Sequence, residues 1–142
     1  MEGRSSRQMV AEAAAAPEQI SPGEAVKLIG KPDVVFVDVR DQSEIEKTRS
    51  VRGAMDVPRS LLEFKGDPEI PAHERELASG KRLVLFCASG GWAALAAKTL
   101  KDMRVECVAH VPGGDFDEPS QAGAPTTGWG RRSPAVVPDA CC

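Results

Sequence analysis

Apolar residues in this chain fall into two kinds of run. Val34-Val35-Phe36-Val37 and Leu83-Val84-Leu85-Phe86-Cys87 are short, continuous and largely β-branched or aromatic, as expected of strands buried on both faces of a parallel sheet. Elsewhere apolar positions recur every three or four residues. Trp92, Leu95, Ala96, Thr99, Leu100 and Met103 form one such stripe, which predicts a helix over 92–103 with Lys98, Lys101 and Asp102 off the stripe.

The remaining segments alternate in the same way. An Ala-rich helix is predicted over 6–16, either packed on the domain or fraying, and Ile20 falls in a short first strand. Ser21-Pro22-Gly23-Glu24 has an N-cap serine, proline at the first helical position and an acid three residues after the cap. The helix it opens buries Ala25, Val26, Leu28 and Ile29 and stops at Gly30. Asp41 and Glu44 open a short helix to about Lys47. A brief strand follows at 54–57, stopped by Pro58, then a helical turn through Leu61-Leu62, a loop over 65–72 and a helix over 73–79. Strands are predicted at 82–87 and 105–110, the last ended by Pro112. Strands alternating with helices imply an α/β fold, a mostly parallel sheet with helices on its faces. Residues 18–125 are read as the single domain, 1–17 as a helical extension and 126–142 as a disordered tail.

Ligands of such sheets sit beyond the carboxyl ends of the strands. Those ends carry Asp38-Val39-Arg40, Pro58-Arg59, the loop after Cys87 and Gly113-Gly114. Cys87 stands where a strand turns through Ala88-Ser89-Gly90-Gly91 into the helix at Trp92. Backbone N–H groups of a tight turn at a helix start bind anions and stabilise a thiolate. Cys87 is therefore the candidate nucleophile, with Ala88, Ser89, Gly90, Gly91 and Trp92 as the loop that receives substrate. Arg40 and Arg59 share that rim as candidate anion-binding groups, and Asp38 holds the strand-end loop by hydrogen bonds.

Composition narrows the function. The net charge of −3 and 4% aromatic content, with no Tyr, argue against a nucleic-acid partner. No apolar stretch is long enough for a membrane span and the N-terminus lacks a signal h-region, so a cytoplasmic protein is expected. The four cysteines show no C-x-x-C spacing, and with only His73 and His110 present no metal site is expected. In a reducing compartment all four are expected to be free thiols, with Cys107 a small buried hydrophobe and Cys141-Cys142 without a role.

The ordered set Val37-Asp38-Val39-Arg40 then Glu44, Val51-Arg52-Gly53-Ala54 leading to Val57-Pro58, Cys87 to Trp92, and Gly113-Gly114 resembles the rhodanese family from about Ile20 to Pro125. The resemblance implies a five-stranded, mostly parallel sheet with helices on both sides, in a stand-alone single-domain form. It also implies a sulfurtransferase. Cys87 would take a sulfane sulfur from an anionic donor such as thiosulfate, become a persulfide and pass the sulfur to cyanide or a thiol. No cofactor is required.

Three departures stand out. The family loop commonly reads C-x-x-G-x-R, and Trp92 stands at the arginine position, offering one N–H and no charge. The G-H-I-P-G-A motif has become Arg49-Ser50-Val51-Arg52-Gly53-Ala54. The tryptophan expected after the double glycine is absent. These changes motivate the alternative of a rhodanese-like module that binds a partner or senses redox state without turnover. A phosphatase or arsenate reductase would need a loop one residue longer ending in arginine, and that position is Ala93.

Overall fold

The computed structural model describes residues 3–48, 51, 53–88 and 90–112. Five strands, β1 (Glu18–Gln19), β2 (Val34–Asp38), β3 (Met55–Asp56), β4 (Arg82–Phe86) and β5 (Val108–His110), form one all-parallel sheet in the order β1-β5-β4-β2-β3. The helices are α1 (Ser6–Ala15), α2 (Pro22–Leu28), α3 (Gln42–Thr48), α4 (Leu62–Gly66) and α5 (Gly91–Asp102). The predicted helix over 73–79 is a 3-10 turn, Arg75–Ala78, and a second one, Arg59–Leu61, leads into α4. The expected tail at 126–142 and the Gly113-Gly114 turn lie outside the described residues.

The central strands alternate between two cores, as a period of two requires. Val37, Val39, Leu83, Leu85 and Cys87 face α4 and α5, meeting Leu62, Ala93, Ala96, Ala97 and Leu100. Phe36, Val84 and Phe86 face the other way, onto Ala25, Leu28 and Ile29 of α2 and its end. There the Phe36 and Phe86 rings meet edge-on, centroids 6.2 Å apart. Helices thus cover both faces.

Local sequence sets the helix ends. The Ser21 hydroxyl accepts from Glu24 N at 3.2 Å, and α2 stops as Gly30 turns to φ 86°. Ser5 caps α1 in a reciprocal capping box with Gln8. This Ala-rich helix packs along α5 and touches β1. Its Ala14 carbonyl lies 3.4 Å from His110 Nε2.

One expectation about α5 needs correcting. Its buried face is Ala93, Ala94, Ala96, Ala97 and Leu100, and Trp92 is exposed. Alanines let α5 approach the sheet and α1 closely, so the larger residues were rotated off that face. A second correction concerns Cys107. It is buried, but it is disulfide-bonded rather than a free thiol. Cysteine spacing does not show which distant thiols the fold brings together.

Candidate active site

Parallel pairing brings the end of β2 beside the end of β4: Asp38 stands opposite Phe86, and Val39 N donates to the Phe86 carbonyl at 3.1 Å. Arg40 and Cys87 therefore emerge at one rim. They line a shared pocket of about 290 Å³ with Glu44, Ala88 and Trp92.

Cys87 is buried, 4% exposed, and its sulfur is held by the backbone. Gly90 N–H donates to Sγ at 3.0 Å and Ala93 N–H at 3.4 Å. Gly90 reaches this position with φ 86°, a conformation that a Cβ disfavours. Its carbonyl accepts from Ala94 N at 3.0 Å, starting the first turn of α5. Two N–H donors and the positive end of a twelve-residue helix thus converge on the sulfur. Both features favour the thiolate over the thiol. Ser89 lies outside the described residues.

The neighbouring corner is built from side chains. Arg40 Nε donates to Asp38 Oδ1 at 3.0 Å and Nη2 to Oδ2 at 2.8 Å, and Arg40 N adds a bond to Oδ1 at 3.1 Å. Asp38 is 0% exposed and Arg40 4%. Burial alone would lower the Arg40 pKa. The hydrogen bonds and charge of Asp38, with the charges of Glu44 and Asp56, outweigh it and raise the pKa. Asp56, at the end of β3, has its carboxyl pushed up by burial and then by the Asp38 charge. Arg40 is thus a fixed cation whose charge is matched by a buried carboxylate.

Arg59 is placed differently. Its backbone N–H donates to the Val39 carbonyl at 3.1 Å, which keeps the chain at the rim. Its guanidinium turns away, pairing with Glu63 at 3.0 Å and donating to Thr99 Oγ1 at 3.3 Å. It does not line the pocket around Cys87. Glu44 does, although the sequence reading used it as a helix start and a motif position and did not name it a site residue. The available signal was its position in the first turn after the β2 end, four residues beyond Arg40.

His110 is 1% exposed, and its Nδ1 has no hydrogen-bond partner among the described residues. Burial lowers its pKa, partly opposed by the bond to the Ala14 carbonyl. Among the described residues no group of three or more His, Cys, Asp and Glu side chains could hold a metal ion. None of the described helices is long and apolar enough to cross a membrane.

The rhodanese-like domain pattern matches residues 21–116. A tRNA uridine(34) hydroxylase of Teredinibacter turnerae is 30% identical over 95 residues, covering 67% of this chain and 29% of that protein. The Rickettsia bellii protein of the same name is 32% identical over 88 residues, covering 62% and 34%. The chain thus spans about a third of the length of the relatives it matches. Among solved structures, a Rhodopseudomonas palustris protein of unknown function, described as a possible tyrosine phosphatase, superposes with a TM-score of 0.80 at 38% identity, covering 89% of this chain and 96% of that one. A human single-domain sulfurtransferase superposes with a TM-score of 0.56 at 24% identity, covering 70% and 91%, and shares the fold.

Proposed function

This chain belongs to the rhodanese-like domain family, and from that premise we propose that it is a sulfurtransferase whose sulfur carrier is Cys87. The observation that carries the reading is the sulfur of Cys87 at the start of α5, receiving N–H bonds from Gly90 and Ala93 inside a pocket. The thiolate attacks the terminal sulfur of a sulfane donor. A Cys87–S bond forms, the donor's S–S bond breaks, and its electron pair leaves with the rest of the donor. With thiosulfate the leaving group is sulfite. A thiol or cyanide then attacks the outer sulfur and returns Cys87 as thiolate. The two N–H donors that hold the thiolate also stabilise it as the leaving group of the second step.

Intact mass spectrometry after incubation with thiosulfate and, separately, inorganic polysulfide tests this. One added sulfur atom on the wild type, mapped to the Cys87 peptide and lost in Cys87→Ser, is the expected result. No adduct from either donor, or one that persists in Cys87→Ser, overturns it and leaves a rhodanese-like binding module.

A second reading comes from the relatives named tRNA uridine(34) hydroxylase. It sets a tRNA partner against the low aromatic content and negative charge of this chain. Loss of a hydroxylated wobble uridine in tRNA from a strain lacking this protein, restored by wild type but not by Cys87→Ser, would favour it over small-molecule sulfur transfer. The phosphatase description of the Rhodopseudomonas protein is not carried over. A phosphate-binding cysteine loop needs an arginine six residues after the cysteine, and here that residue is Ala93, buried in the core.

A further inference from the structure

His110 is a buried titratable group that the sulfur-transfer chemistry does not use, and α1 sits on it. In the parallel register His110 stands beside Leu85, so its side chain leaves the sheet on the side of Cys87, toward α5. Packed there along α5 is α1, which precedes the family-matched residues 21–116 and turns Val10, Ala13 and Ala14 inward. Ala14 lies in the last turn of α1, whose carbonyls have no donor within the helix. The His110 ring supplies one, its Nε2 3.4 Å from the Ala14 carbonyl. A carbonyl only accepts, so Nε2 carries the proton and Nδ1 is the bare nitrogen, buried and without a partner among the described residues.

A proton on Nδ1 would bury a charge and a donor facing no acceptor. The charged groups of the surrounding elements are engaged elsewhere. On α1, Arg7 is exposed and Glu12 pairs with Arg4. Glu18 of β1 pairs with Arg82 of β4, and on α5 Lys98 pairs with Asp102 while Lys101 donates to the Glu106 carbonyl. On β4 the titratable group sharing the His110 side of the sheet is Cys87, two residues beyond Leu85. Of the two helices over His110, α1 is the more weakly held: it buries Ala13, whereas α5 buries four alanines and Leu100. Yet α1 reaches the sulfur site. A Cβ on Gly91 would lie 3.8 Å from Val10 Cγ2, and Gly91 stands between Gly90 and Ala93, whose N–H groups hold the Cys87 sulfur.

We infer that His110 is a positioning residue with α1 as its latch: neutral, it caps α1 and keeps Val10 against the first turn of α5; protonated, it releases α1 and loosens the N–H groups around Cys87. The second half rests on the sulfurtransferase reading. Burial lowers the His110 pKa from its ordinary 6.5, so the docked form binds fewer protons than the released one. Docking is therefore strongest above about pH 6.5 and weakens by about tenfold per pH unit below it, until the docked-state value is passed.

Hydrogen exchange of the full chain by mass spectrometry, corrected for the intrinsic pH dependence of amide exchange, tests the latch without a mutation. Between about pH 7.5 and about pH 5, protection of the α1 peptide is expected to fall about tenfold relative to that of α2. His110→Gln keeps an amide donor for the Ala14 carbonyl and cannot titrate, so its ratio should stay flat. Because Cys87 titrates as well, sulfur transfer is read as a quotient, the rate of persulfide formation from thiosulfate in wild type over that in His110→Gln. The quotient should be near one at the higher pH and fall about three- to tenfold at the lower. A wild-type protection ratio that does not change with pH, or that changes equally in His110→Gln, overturns the latch. Falling protection with a flat quotient overturns the positioning role. No persulfide in either protein at any pH overturns the sulfurtransferase reading, and the exchange result still decides the latch.

Discussion

The two rims of the sheet are built from similar parts to different standards. Each has a buried arginine on an acid, and each has a residue at positive φ beside one end of α5. Where the strands end, Arg40 makes a two-pronged pair with a fully buried Asp38, and the positive-φ residue is Gly90. Where the strands begin, Arg82 pairs with Glu18 through Nη2 at 2.6 Å, but Glu18 is 45% exposed and Arg82 Nε has no partner among the described residues. The positive-φ residue there is Arg104, at 67°, its N–H donating to the Lys101 carbonyl. Fit is closest at the rim that carries the thiol. The opposite rim tolerates an orphaned donor and a non-glycine residue in the left-handed region.

The sharpest way to break this contrast is to remove one acid from each rim. Asp38→Ala removes the buried carboxylate that holds two guanidinium nitrogens of Arg40 and should cost about 3–5 kcal/mol in urea unfolding. Glu18→Ala removes a half-exposed partner and should cost no more than about 1 kcal/mol. Equal losses would mean that the rims do not differ. Next in size is Gly90→Ala, which forces a Cβ into the left-handed region. A loss of about 1–2 kcal/mol is expected, with slower persulfide formation as the N–H on Sγ moves. Unchanged persulfide kinetics would remove that hydrogen bond from the argument. Smallest is Arg104→Gly, a gain of up to about 1 kcal/mol with unaltered sulfur transfer. A loss of stability would show that the Arg104 side chain contributes more than its backbone strain costs.

The fold was legible because its core strands are continuous apolar runs and its helices carry their own start and stop signals. Val34–Asp38 and Arg82–Phe86 lie where the continuous apolar runs put them, and the Ser21 cap opens α2 as read. The rim followed, since parallel strands put their ends on one side. What sequence did not show was orientation. Trp92 and Leu95 dominated the apolar stripe of α5 by size, yet close approach to the sheet and to α1 selected the small alanines. Arg40 and Arg59 looked equivalent, each just beyond a strand. A carboxylate two residues back drew Arg40 inward, and Glu63 and Thr99 drew Arg59 across to the helices. Asp38 and Glu63 are near in the chain and Thr99 is distant, so packing rather than spacing made the choice.

The strand order has a consequence for synthesis of the protein. β1 has β5 as its one neighbour in the sheet among the described residues, joined by the Ile20 N–H to the His110 carbonyl at 3.1 Å. β5 also fills the place between β1 and β4. A nascent chain emerging from the ribosome therefore holds β1 without a mate and the outer edge of β4 open until nearly the whole domain has been made. Closure is a single late event of high contact order. Until it occurs, Leu83, Val84 and Leu85 lie on an unpaired edge, and arrested translation just short of Val108 would leave an intermediate prone to pair with a second copy.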